Sequence, residues 1–164
     1  MMFPVNMDKY GRVSVPETEG DATKKAHVAG HEAGHIVGGL LRGVRVAGAE
    51  ASEYRGETRM TKTTDEERIF FGLCGMAADG ILVGELRRDG SQGDLKTVRD
   101  LAGGLGMSAQ DVEEALLDAR DELAPHSRAL AEFARALTER DSLSEQEIQN
   151  IGRAYGLVAE TVRG

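Results

Sequence analysis

The sequence predicts a mainly α fold of the α+β kind, with a small β-hairpin beside the first long helix and a helical bundle toward the C-terminus. Three observations carry this. Apolar residues recur at three- and four-residue spacing from Asp21 to Arg42, from Asp65 to about Glu85, and again from Ser108 onward. Val44 to Ala51 and Glu57 to Lys62 are extended in character and are joined by Ser52 to Gly56, with Gly56 at the bend or a bulge. Two Ser/Thr-x-x-Glu signatures, Thr64 with Glu67 and Ser144 with Glu147, mark helix starts. A length of 164 residues suits one domain. We expect an N-terminal arm over 1–22, the domain over 23–155 and a tail over 156–164.

Taken in order, the arm mixes Pro4, Gly11, Pro16 and Gly20 with scattered valines, which predicts irregular chain with one short strand near Arg12 to Val15. The first helix starts at Asp21, with Thr23 as a candidate cap, and stops before Gly43. It carries Gly30, Gly34, Gly38 and Gly39, each costing up to about 1 kcal/mol relative to alanine, so stability alone does not explain it. The hairpin follows. In the second helix Ile69, Phe70, Leu73, Met76, Ala77, Ile81 and Leu82 make a broad core face, within which Cys74 reads as a small buried hydrophobe.

Leu86 to Gly93 is polar and turn-like, and Ser91 can cap a helix from Gln92 to about Leu105, which puts Asp94 in its first turn. The pattern from Ser108 runs through Val112, Leu116, Leu123, Leu130, Phe133 and Leu137, broken only at Pro125. A short last helix holds Ile148 and Ile151. His126, beside Pro125, reads as solvated or structural.

A net charge of −8 and a pI near 5.1 argue against nucleic acid or an anionic membrane as the main partner. No apolar run approaches the ~20 residues needed to cross a bilayer, so no membrane insertion is expected. Cys74 is the single cysteine; it allows no internal disulfide and is compatible with a reducing, cytoplasmic setting.

The chemistry starts from His31-Glu32-Ala33-Gly34-His35. Residues four apart on a helix share a face, so His31 and His35 can offer their imidazoles to one metal ion. Glu32 sits roughly 100° further round the helix, close enough to act on a water at the metal. This is the His-Glu-x-x-His arrangement of zinc peptidases, in which zinc takes three protein ligands and keeps one position open. Three of the four histidines lie on this helix, but His27 is in line with the pair and cannot complete a tetrahedral shell around the same ion, so it reads as a flanking residue.

The third ligand is less direct. The position six residues beyond His35 is Leu41, which excludes a metzincin-type histidine. A downstream glutamate would have to be Glu57, Glu66, Glu67 or Glu85, none in a recognisable setting. The stretch Gly56, Glu57, Thr58, Arg59, Met60 is the candidate edge strand for an extended substrate, unless the hairpin only packs against the helix.

Several segments, in order, resemble the protease domain of the FtsH family of ATP-dependent zinc metalloproteases. His31 to His35 matches that family's His-Glu-Ala-Gly-His outright. Leu73-Cys74-Gly75-Met76-Ala77-Ala78-Asp79 with Gly84-Glu85 is similar to its Leu-Gly-Gly-Arg-x-Ala-Glu helix. Gly90-Ser91-Gln92-Gly93-Asp94-Leu95 resembles the segment that supplies an aspartate ligand, and Gly106-Met107-Ser108 follows as the family's Gly-Met-Ser does. The late helices, with Leu130, Leu137, Leu143, Glu147 and Ile148, are similar as well. The resemblance spans about residues 23 to 151. Cys74 and Met76 replace the family's glycine and arginine, the hairpin and the helix after Asp94 look shorter, and no phosphate-binding glycine loop or ATPase module is present in this sequence.

The resemblance implies a zincin-like metallopeptidase domain with one zinc held by His31, His35 and Asp94, and Glu32 as general base. It implies an endopeptidase acting on unfolded or specific protein substrates, independent of ATP in this chain. A homo-oligomer or a separate ATPase partner is compatible with it. The alternative is a catalytically idle, metal-stabilised binding or adaptor domain of the same fold.

Overall fold

Small residues on the first helix let a second helix close directly onto it, and that contact organises the molecule. In a computed structural model of the protein the described residues are 6–7, 13–14, 21–61, 63–83 and 92–159, with the side chains of 6–7, 13–14, 21–23, 83 and 92–94 outside that set. Helix α1, Asp21–Leu41, is buried at every position from Ala29 to Leu40. Helix α2, Asp65–Val83, crosses it at Gly34. A Cβ on Gly34 would overlap the Cys74 carbonyl oxygen and stand 2.7 Å from the Ala78 Cβ. Gly38 repeats this one turn later, against Cys74 Sγ. The helix-propensity cost of these glycines is offset by close backbone packing.

Two short strands in the arm, β1 (Asn6–Met7) and β2 (Val13–Ser14), pair antiparallel, the second within the stretch expected to be extended. Strands β3 (Val46–Ala51) and β4 (Gly56–Met60) form the expected hairpin, but Gly56 is neither its bend nor a bulge: it pairs with Ala51, the turn is Ser52 to Arg55, and the register shift lies between Val46 and Gly48. Helix α3 spans Gln92–Gly104 and α4 spans Ala109–Leu123. A 3-10 turn over Ala124–His126 holds Pro125 and leads into α5, Ser127–Arg140. The proline separates two helices, as its missing N–H requires.

The sheet corrects the sequence reading in one respect. Ser142–Ser144 forms β5, which pairs with β3 and gives a three-stranded antiparallel sheet in the order β4-β3-β5. Three residues are too few to show a period of two, and Leu143, buried in the core, reads equally well as helix-flanking. Helix α6, Glu145–Ala154, then starts from the Ser144 cap.

The capping residues behave as their spacing predicts. The Thr64 backbone N–H donates to Glu67 Oε1 at 3.0 Å while the Glu67 N–H donates to Thr64 Oγ1 at 3.1 Å. Ser144 and Glu147 repeat this at 3.1 and 3.2 Å, and Ser108 uses Asp111 in the same way. The core joins Ile36 and Val37 of α1 to Leu73 and Met76 of α2, Leu130, Phe133 and Leu137 of α5, Leu143 of β5 and Ile148 of α6. Ion pairs Arg42–Glu122 and Arg45–Glu145 join the end of α1 and the start of β3 to distant helices, and at the surface such pairs are weak. Among the described residues no helix is long and apolar enough to cross a membrane.

Candidate metal centre

His31 and His35 lie one turn apart on the most enclosed part of α1, 7% and 9% exposed. Their Nε2 atoms are 3.0 Å apart, and the rings meet edge to face. Two nitrogens bound to one tetrahedral zinc at ~2.0–2.1 Å stand about 3.3 Å apart, so the pair is already close to the spacing a shared ion requires. His35 Nδ1 is 2.6 Å from the Phe71 carbonyl oxygen. A carbonyl only accepts, so Nδ1 carries the proton and the Nε2 lone pair remains available to a metal.

Two features of α2 hold the imidazoles. Gly75 faces both rings: a Cβ there would come within 2.6 Å of His31 Cε1 and 2.8 Å of His35 Cε1. The rings rest on bare helix backbone, which only glycine allows. Asp79, buried at 4% exposure, places Oδ2 4.0 Å from His31 Nδ1. That distance is too long for a direct hydrogen bond, but it sets the Asp79 carboxyl on the Nδ1 side of the ring, away from Nε2.

Glu32, 5% exposed, is held from the sheet side. Its Oε1 accepts a hydrogen bond from Thr58 Oγ1 at 2.8 Å. A Cβ on Gly56 would stand 2.6 Å from Glu32 Cγ, so the start of β4 fits only as glycine. The donor atoms of His31, Glu32 and His35 all lie within 4.8 Å of one another. They fit a zinc ion: two neutral imidazole nitrogens with a carboxylate beside them are its common donors.

A cleft of about 410 Å³ opens along the centre. Gly56, Thr58 and Met60 of β4 form one wall, and Arg68 and Phe71 of α2 with Thr97 and Val98 of α3 form the other; Glu32 and His35 lie between them. Strand β4 is the outer strand of its sheet, and among the described residues no strand pairs with its far edge.

Thus the structure brings together His31, Glu32 and His35, and of the expected strand residues places Gly56, Glu57, Thr58 and Met60, but not Arg59, along the cleft. Within β4 the residues divide by face: Thr58 reaches Glu32, while Arg59 pairs with Glu50 at 3.0 Å on the opposite side. The backbone of Asp94 is in the first turn of α3, and its side chain lies outside the described residues. Of the glutamates considered as third ligands, Glu67 is engaged in the Thr64 cap, Glu57 and Glu66 are exposed, and Glu85 lies outside the described residues. His27 is half-buried and not among the grouped donors. Cys74 is buried, and burial pushes its thiol well above the usual range, as for an inert core residue.

Sequence reasoning named Gly75 and Asp79 only as parts of a motif and missed the Phe71 carbonyl altogether. Asp79 carried a signal, since it is a charged residue three positions after buried Met76 on an apolar helix face. The Phe71 carbonyl carried none, because every residue has one. Comparison with protein-family models and with curated proteins returned no match to this chain.

Proposed function

We propose that this chain is a zinc-dependent endopeptidase with a zincin-like fold resembling the FtsH protease domain, ATP-independent in itself and acting in the cytoplasm on unfolded or specific protein substrates. The observation that carries the reading is the convergence of His31 and His35 Nε2 beside the Glu32 carboxylate in a cleft walled by an outer strand. His31 and His35 would hold the metal with Asp94 as third ligand. Position 94 supports this by register, standing one helical turn before Thr97 and Val98, which line the same cleft. When bound, zinc lowers the pKa of its water toward about 7 and polarises the scissile carbonyl.

The protein's own groups do the rest. Glu32, restrained by Thr58, takes the proton of the attacking water and delivers it to the leaving amine. The Phe71 carbonyl accepts from His35 Nδ1 and Asp79 lies beside His31 Nδ1, which leaves the two Nε2 atoms for the metal. A substrate strand can pair with the free edge of β4, whose backbone groups bind extended peptide regardless of sequence.

Zinc content and cleavage of an unfolded casein-like substrate test the reading together. The wild-type protein should carry one zinc and cut the substrate, with a chelator abolishing cutting. Glu32→Gln should keep the zinc and lose at least about 100-fold in rate, the lower range for removing a general base. Full activity in Glu32→Gln ends the reading.

A further inference from the structure

The cleft carries an uneven charge that peptide hydrolysis does not require. Gly56 packs against Glu32, and the exposed Glu57 that follows it shares the strand face of Arg59, opposite to Thr58. Arg68 lines the same cleft from α2, one helical turn before Phe71, whose carbonyl faces His35. Its guanidinium is half-exposed and stands 4.0 Å from Asp65, an equally exposed residue. Among the described residues lining the cleft, Arg68 is the one cation, while Glu32 and Glu57 are the anions. A chain lying in the cleft along β4 therefore meets one described cation, Arg68, beside the reactive centre at Glu32 and His35.

Resting on the peptidase reading, we infer that this cleft selects extended peptides by charge: an acidic side chain at a set position on one side of the bond to be cut is bound by Arg68. The guanidinium fork suits a carboxylate, which it can engage through two parallel N–H donors. Arg68 is a specificity-determining residue; it is half-exposed on the first turns of α2 and outside the core, so its replacement leaves the fold in place. An exposed ion pair of this kind changes affinity by roughly two- to fivefold, and the effect falls as salt shortens the range of the charge.

The test uses zinc-loaded full-length Glu32→Gln protein and fluorescent twelve-residue peptides of one neutral sequence, carrying a single Asp or a single Lys at each position in turn. Fluorescence anisotropy reads binding, so the result does not depend on turnover. Asp at one position should tighten binding by roughly two- to fivefold and Lys there should weaken it. Arg68→Glu should reverse that order and Arg68→Gln should erase it. Equal binding of all peptides, an order unchanged in Arg68→Glu, or no binding of any peptide overturns the inference. Failure of the peptidase reading is separate: it shows as peptides that bind the wild-type protein and are not cut.

Discussion

The hydroxyl of Thr58, 2.8 Å from Glu32 Oε1, restrains a buried carboxylate, and the Phe71 carbonyl, 2.6 Å from His35 Nδ1, restrains a buried imidazole. Neither group could be inferred from the zinc motif, because each acts through a partner distant in sequence. Gly75 is the sharper case at this scale, since what matters is an atom it lacks. Adding a methyl group there would drive a carbon into both imidazoles. Gly75→Ala should therefore weaken zinc binding at least tenfold, the low end for disturbing the surroundings of metal ligands. It should also cost about 1–3 kcal/mol of stability through overpacking. Chelator competition and denaturant unfolding of the same sample check both, and unchanged zinc affinity would show that the rings have room to spare.

Local rules read the helices well. The caps at Thr64 and Ser144 were legible because a cap is a four-residue event, while the Ser108 cap, closed by Asp111, was not read from the sequence; Pro125 was legible as a kink or break because its ring acts on its own turn. Strand β5 was not, since a three-residue strand exists only by pairing with β3. The caps also predict acid sensitivity. Glu147 is held below the usual carboxylate range, first by the Ser144 backbone N–H and then by Arg140. A carboxyl lowered in the folded state adds stability that is fully present above its unfolded pKa of about 4.3 and is lost as pH falls through the folded value. Glu147→Gln removes that titration, so between about pH 5 and pH 3 its unfolding midpoint should fall less steeply than that of the wild type. Parallel curves in a pH series of thermal melts would show that the cap charge adds nothing.

At the scale of the whole molecule, α1 is enclosed by α2, α5 and the sheet, and the centre lies where α1, α2, β4 and α3 meet. The sequence announced the helix with the two histidines, and its glycines said only that stability alone does not explain that helix. It did not announce that the partner is the stretch around Cys74 and Gly75, because packing partners depend on the complete fold rather than on spacing along one helix. The account rests on a single ion bridging α1 and α3, and zinc-edge anomalous diffraction from crystals of the zinc-loaded protein tests that most directly. The account predicts one strong peak bonded to His31 Nε2 and His35 Nε2 at about 2.0–2.1 Å, with an Asp94 carboxylate oxygen as third protein ligand. A peak elsewhere, or a peak between the imidazoles with no carboxylate from α3, would contradict it.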